Sequence, residues 1–193
     1  MDRSVAVVTL VGDVRTWIHR FKYPRDGLAG LDPAATGVMR MLARRARRLA
    51  SPTEGDPIVP MPLYPRRYRE RGFNPASLLA REIARPGRHP LRPRWLIRLR
   101  DTERQTGLDA ASRRRNVAGA FACRPSSEAV PGRVWLVDDV TTTGATLEAA
   151  AAALKGAGVR EVIGLCVART PAREEIPAAR GSLDPSERES SRR

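Results

Sequence analysis

Residues 134–146, VWLVDDVTTTGAT, decide the reading of this chain. They join an apolar run, Val134 to Val137, to two adjacent carboxylates, Asp138 and Asp139, and then to a loop of threonines around Gly144. An apolar run without alternation marks a strand covered on both faces, as in parallel sheets. Asp138 to Thr143 reads as a loop, Gly144 to Gly156 is Ala-rich and predicts a helix, Gly158 its stop, and Val162 to Ala168 a second buried strand. Strand, helix and strand within about thirty residues make a βαβ unit. The fold class is therefore α/β: a mainly parallel, Rossmann-like sheet flanked by helices.

In such a sheet, ligands sit beyond the carboxyl ends of the strands, where Asp138 and Asp139 fall. The following loop offers backbone amides and the hydroxyls of Thr141, Thr142, Thr143 and Thr146 at a helix N-terminus, where the dipole favours an anion. Gly144 lets the backbone come close to it, and a phosphate is the natural occupant. A Gly-Lys-Ser/Thr ending and a Gly-x-Gly-x-x-Gly are both missing, which argues against a P-loop or dinucleotide site. Carboxylates beside a phosphate repel it unless something intervenes. A ribose resolves this: its 5-phosphate rests in the hydroxyl loop while its 2- and 3-hydroxyls donate to the carboxylates. Magnesium held through those hydroxyls or through water relieves the remaining repulsion.

Outward from this unit, Val5 to Leu10 predicts a strand, and Val14, Trp17, Ile18 and Phe21 the apolar stripe of a helix. A second helix spans 34–50, with Ala35, Val38, Leu42, Ala46 and Leu49 inward and Arg40, Arg44, Arg47 and Arg48 on its other face. The segment 57–65, PIVPMPLYP, is a buried strand that proline stops. Asn74 and Pro75 are a cap and first residue for a helix carrying Leu78, Leu79 and Ile83. Residues 94–99 and 117–123 predict two further strands. The polar stretch between them ends in a short helix that Asp109 caps. The tail from 171 to 193 lacks periodicity and reads as disordered.

The length of 193 residues fits one domain. Its formal net charge is +14, all of it on residues 1–170, because the tail balances five arginines against five acids. A body this basic attracts polyanions, phosphorylated metabolites or nucleic acid, unless the arginines simply face solvent. No apolar run suffices for a membrane span and no secretory signal opens the chain, so the expected location is cytoplasmic. Cys123 and Cys166 read as buried, inert thiols, too few and too separated for a disulfide framework or a zinc site. His19 and His89 are isolated and are assigned no catalytic part; His19, on the first helix, reads as structural.

VWLVDDVTTTGAT resembles the phosphoribosyl pyrophosphate (PRPP) motif of type I phosphoribosyltransferases. IHRFKYPRDGLA, PMPLYPRRYRERGFN, RDTERQTGLDAASRRRNVAGAF and VREVIGLCVART follow the order seen in the ComF family, the competence-associated phosphoribosyltransferase-like group. Two departures stand out. The four-cysteine zinc module frequent in that family is missing, so no zinc is expected, and Pro75 stands where a Gln is usual.

The resemblance implies a small N-terminal hood over residues 1–50 and a phosphoribosyltransferase core over 51–170. It implies that Asp138 and Asp139 hold the ribose hydroxyls and, through PRPP and water, magnesium, with no direct protein ligand to the metal. Thr141, Thr142, Thr143, Gly144, Ala145 and Thr146 would wrap the 5-phosphate. Pro62, Leu63, Arg66 and Arg67 would form the pyrophosphate loop. Gln105, Thr106 and Gly107 would tip a flap that excludes water. Two functions follow: transfer of phosphoribose from PRPP to a nitrogen acceptor with release of pyrophosphate, or a non-catalytic or PRPP-regulated protein that binds single-stranded DNA through its arginines beside competence or DNA-processing proteins.

Overall fold

A computed structural model describes residues 1–24, 29–84, 89–102, 110–124 and 130–171. The chain runs β1 (Arg3–Thr9), α1 (Gly12–Lys22), α2 (Pro33–Ala50), β2 (Ile58–Pro60), α3 (Pro65–Arg71) and α4 (Pro75–Ala84). It continues with β3 (Leu96–Arg98), α5 (Ala110–Val117), β4 (Phe121–Cys123), β5 (Arg133–Thr141), α6 (Ala145–Gly156) and β6 (Glu161–Arg169). The main sheet has the order β1-β6-β5-β2, and every pairing in it is parallel. All four strands therefore end at the same edge, the α/β architecture that the deciding stretch predicts.

Period-two alternation along β5 sorts its side chains into two cores. Trp135 and Val137 join Ile163, Leu165 and residues of α1, α2 and α4 on one face. Val134 and Leu136 join Val162, Cys166 and residues of α6 on the other. Because both faces are covered, the strand can be apolar throughout. Gly164 sits at the second face, where a Cβ would come within 3.3 Å of Ser4 Cβ and 3.4 Å of Leu147 Cδ1. The bare backbone there lets α6 lie close against the sheet.

The helix starts follow their sequence signals. The Asp32 carboxylate accepts from the Ala34 and Ala35 amides at 2.9 and 3.1 Å, and Pro33 fills the first helical position of α2. The Asn74 side chain accepts from the Ala76 amide at 3.1 Å and donates to the Met61 carbonyl at 2.9 Å, fixing α4 to the end of β2. Gly158, with φ +101°, ends the turn after α6 as its glycine predicts. The N-terminal fifty residues add a strand to the sheet edge, and α2 packs against β1, β6 and α4.

Local features differ from the sequence expectation, beginning with Leu49, expected inward on α2 but 55% exposed near its end. Pro65 to Arg71 is a helix rather than an open turn: Pro65 starts it, and Gly72 with φ +79° closes it by donating to the Tyr68 carbonyl. β3 and β4 leave the parallel sheet and pair antiparallel as a separate ribbon. Cys123 is only half-buried at the end of that short ribbon, while Cys166 is buried in the main sheet. His19 is exposed, its ring 4.9 Å from that of Tyr23. Asp109, the expected cap of α5, and residues 172–193 lie outside the described residues. Among the described residues no helix is long and apolar enough to cross a membrane.

Candidate functional site

The acidic pair is strand, not loop. β5 stays in register with β6 past Val137, pairing Asp138 with Cys166, Val140 with Ala168 and Thr141 with Arg169. The apolar β6 supplies partners to its end, so pairing continues through the two acids. Strand alternation then turns them to opposite faces. Asp138 continues the line of Val134 and Leu136, and Asp139 that of Trp135 and Val137. Asp139 is buried, and its Oδ1 lies 2.8 Å from Lys22 Nζ, the last residue of α1. Each acid also accepts a backbone amide beside it: Asp138 that of Asp139 at 2.9 Å, Asp139 that of Val140 at 2.7 Å.

A cavity of about 210 Å³ lies past the strand end and is lined by Asp138, Thr141, Thr142, Gly144, Thr146 and Lys22, among others. Ala145 also lines it, whereas Thr143 is exposed and does not. Gly144 caps α6 with φ +79° and contributes no side chain to the helix start. The first intrahelical bond runs from the Glu148 amide to the Gly144 carbonyl at 2.8 Å. Amides ahead of such a bond have no partner within the helix and suit an anion.

A second cleft, about 470 Å³, opens beside it and shares Lys22. Arg66, Arg67 and Arg71 of α3 face Asp101 and Thr102 across this cleft. Arg66 Nε donates to Asp101 Oδ2 at 2.7 Å, and Arg67 Nη2 to the Thr102 carbonyl at 2.8 Å. Arg98, from β3, bonds the Thr102 hydroxyl. Pro62 and Leu63 are half-buried in the connection ahead of α3 and do not line the cleft. Gln105, Thr106 and Gly107 lie outside the described residues. The structure thus brings Arg66 and Arg67 beside the acidic pair without Pro62 and Leu63.

Electrostatics tie the two clefts together. Burial, then the neighbouring Asp139, push the Asp138 carboxyl up to about 7, against the opposing pull of Lys22. Burial alone would lower the Lys22 ammonium, but Asp139, through charge and hydrogen bond, prevails and raises it. Burial and then Arg67 lower the Arg98 guanidinium. Burial, reinforced by both aspartates, lifts the Cys166 thiol well above its ordinary value, keeping it protonated beneath Asp138. The Arg66 hydrogen bond holds the Asp101 carboxyl below its ordinary value.

Among the described residues no group of three or more His, Cys, Asp or Glu could enclose a metal ion. Of the pair only Asp138 lines the anion cavity, Asp139 being turned to the other face and held by Lys22, so a magnesium ion here would be held mainly by phosphate oxygens and water, with Asp138 beside it. From sequence Lys22, Arg71 and Arg98 have no assigned site role, although Lys22 and Arg71 fall in the ComF-like stretches IHRFKYPRDGLA and PMPLYPRRYRERGFN, and Asp101 and Thr102 fall in the 100–115 segment expected to form the flap. One signal was available: of 35 basic residues only Lys22 and Lys155 are lysine, so a lysine here is a departure from the chain's habit.

The family model described as "Phosphoribosyl transferase domain" matches residues 70–181. The chain is 33% identical over 162 residues to "Competence protein F" of Haemophilus influenzae, covering 83% of this chain and 70% of that protein. It is 32% identical over 174 residues to "DNA utilization protein YhgH" of Escherichia coli K12, covering 88% and 73%. It is 40% identical over 97 residues to "Competence protein ComFC" of Bacillus subtilis, covering 50% and 37%.

Proposed function

Because this chain belongs to the phosphoribosyl transferase domain family, within its ComF group, we propose that the paired clefts bind PRPP and that the protein transfers its phosphoribosyl group to a nitrogen acceptor. The observation that carries this reading is the shared edge of the sheet, where a hydroxyl-lined helix start, two carboxylates and an arginine cluster adjoin. The 5-phosphate rests at the start of α6 on Thr141, Thr142 and Thr146. Asp138, facing the same cavity, accepts from the ribose hydroxyls. The diphosphate extends toward Arg66, Arg67 and Arg71.

Transfer makes a bond from the acceptor nitrogen to ribose C1 as the bond from C1 to the pyrophosphate oxygen breaks, with its electron pair leaving on pyrophosphate. Magnesium bound with PRPP supplies positive charge for that leaving group. The arginines add fixed charge where negative charge develops. No base–nucleophile triad is needed. Calorimetry of the full chain with PRPP and magnesium tests binding, and pyrophosphate release with a panel of nitrogen bases tests transfer. Binding in the micromolar range or tighter is expected, about −8 kcal/mol. A chain that binds no PRPP sinks the reading.

The outer face of α2 supports a second reading. Arg40, Arg44, Arg45 and Arg48 line a depression of about 600 Å³ there, and relatives carry the names "Competence protein F" and "DNA utilization protein YhgH". A PRPP-binding protein of DNA uptake would use this face for single-stranded DNA. Its gel-shift affinity should then fall steeply with salt as counterions are released; a shift that is absent or insensitive to salt removes it.

A further inference from the structure

Lys22 stands where the two clefts meet, and it lines both. Its position is built into the fold. Ile18 and Phe21 of α1 are buried, and the Phe21 ring meets Phe73 edge-on at 6.1 Å, just ahead of α4. This anchors the last turn of α1 against the sheet and aims Lys22 at Asp139, with 21% of the side chain left exposed. The guanidinium of Arg71 lies over the Tyr23 ring at 4.8 Å, on the same cleft. In the larger cleft Lys22, Arg66, Arg67 and Arg71 outnumber the carboxylates of Glu70 and Asp101.

The residue type matters as much as the charge. The chain uses arginine almost everywhere and lysine only twice. A guanidinium spreads its charge over a planar fork, whereas an ammonium is a compact charge with three donors. One donor can satisfy Asp139 while another remains for a ligand. Asp139 therefore anchors a cation that neutralises the acidic strand end and still faces the arginine cleft.

We propose that Lys22 is a ligand-contacting residue of this site: tethered by Asp139, its ammonium bonds the diphosphate of PRPP where it joins the ribose, between the phosphate-end cavity and the arginine cleft. This rests on the PRPP reading and adds to it a residue from α1, far in sequence from VWLVDDVTTTGAT. Lys22 supplies charge at the bond to the leaving group and transfers no proton.

Calorimetry of the full chain with three probes, PRPP, inorganic pyrophosphate and ribose 5-phosphate, each with and without magnesium, tests it. In Lys22→Met, PRPP and pyrophosphate should weaken about tenfold to hundredfold, the range expected for a lost charge-assisted hydrogen bond, while ribose 5-phosphate changes by less than about threefold. Lys22→Arg should recover part of the pyrophosphate affinity. Lys22→Gln, checked by its melting temperature against wild type, guards against a folding defect in the methionine variant. Equal losses for all three probes would make Lys22 a support for Asp139 only and overturn the inference, as would unchanged affinities. A wild type that binds none of the probes overturns the PRPP reading itself. A wild type that binds PRPP, with Lys22 variants that match it, overturns the Lys22 inference alone.

Discussion

The two clefts are built in opposite ways. The smaller one is nearly local: Asp138 to Leu147 form most of it from one strand end, one turn and one helix start. The larger one is assembled from α1, α3 and the chain after β3, segments that meet only in the folded molecule. The first takes most of its shape from one stretch of backbone, held in register by β6. The second is a balance of charges, with Asp101 holding Arg66 and Arg67 against one another's repulsion. Variants should therefore act on the local cleft through geometry and on the assembled one through charge.

The largest effect should come at the ion pair that holds Lys22 where the two clefts meet. Asp139→Ala removes the partner of the half-buried Lys22 and should cost about 1–3 kcal/mol of stability, less than breaking a fully buried pair. It should also weaken PRPP at least about tenfold. Urea unfolding and calorimetry read the two losses. Stability that is unchanged would mean that the Lys22–Asp139 pair does not lock α1 to the sheet.

Gly144→Val tests the local cleft alone. Its φ of +79° suits glycine, so the variant should lose about 1–2 kcal/mol and weaken ribose 5-phosphate more than pyrophosphate. Equal weakening of both probes would erase the distinction between the clefts. Asp101→Ala should act with the opposite sign on the assembled cleft. By releasing Arg66 and Arg67, it should tighten pyrophosphate a few-fold, on the scale of an exposed ion pair, and leave ribose 5-phosphate unchanged. Weaker pyrophosphate binding would instead mean that Asp101 orients the guanidiniums for the ligand.

A pH dependence completes the comparison. Burial and Asp139 raise the Asp138 carboxyl from 3.8 to about 7. The folded state therefore holds this proton more tightly than the unfolded chain. The contribution of Asp138 to stability is largest at low pH and declines as pH rises from about 4 to about 7. PRPP binding, which uses the ionised acid, should strengthen over about pH 6 to about pH 8. Asp138→Asn should flatten both trends. Melting curves and calorimetry across that range check them.

The same contrast explains what the sequence made legible. The apolar runs of β5 and β6, the Asn74–Pro75 helix start and the hydroxyl loop are written in adjacent residues, and local backbone physics realises them. The extent of β5 was less visible, because the pairing of Asp138 with Cys166 depends on a strand over twenty residues away. Its consequence, two acids turned to opposite faces, was hidden with it. Lys22, Arg71 and Asp101 each fall in a stretch that resembles the ComF family, but a charge cluster joined across three segments has no spacing to show that they meet. The separate β3–β4 ribbon was hidden for another reason: three-residue strands carry too little alternation to declare a partner.

The edge position of β1 also bears on how the molecule comes to be folded. Its partner is β6, and the Val162 amide donates to Asp2, 160 positions away in the chain. Contacts of such separation pay their loop-closure entropy before they return anything, and they form late. A chain emerging from the ribosome can assemble α2, β2 and α4 early, but β1 finds its place only once residue 169 has cleared the exit. Since β1 leads directly into α1, the cation at Asp139 settles in the same late step. The site is therefore completed only after β6 has been made, and a truncation within β6 should remove the site altogether rather than leave a weakened version of it.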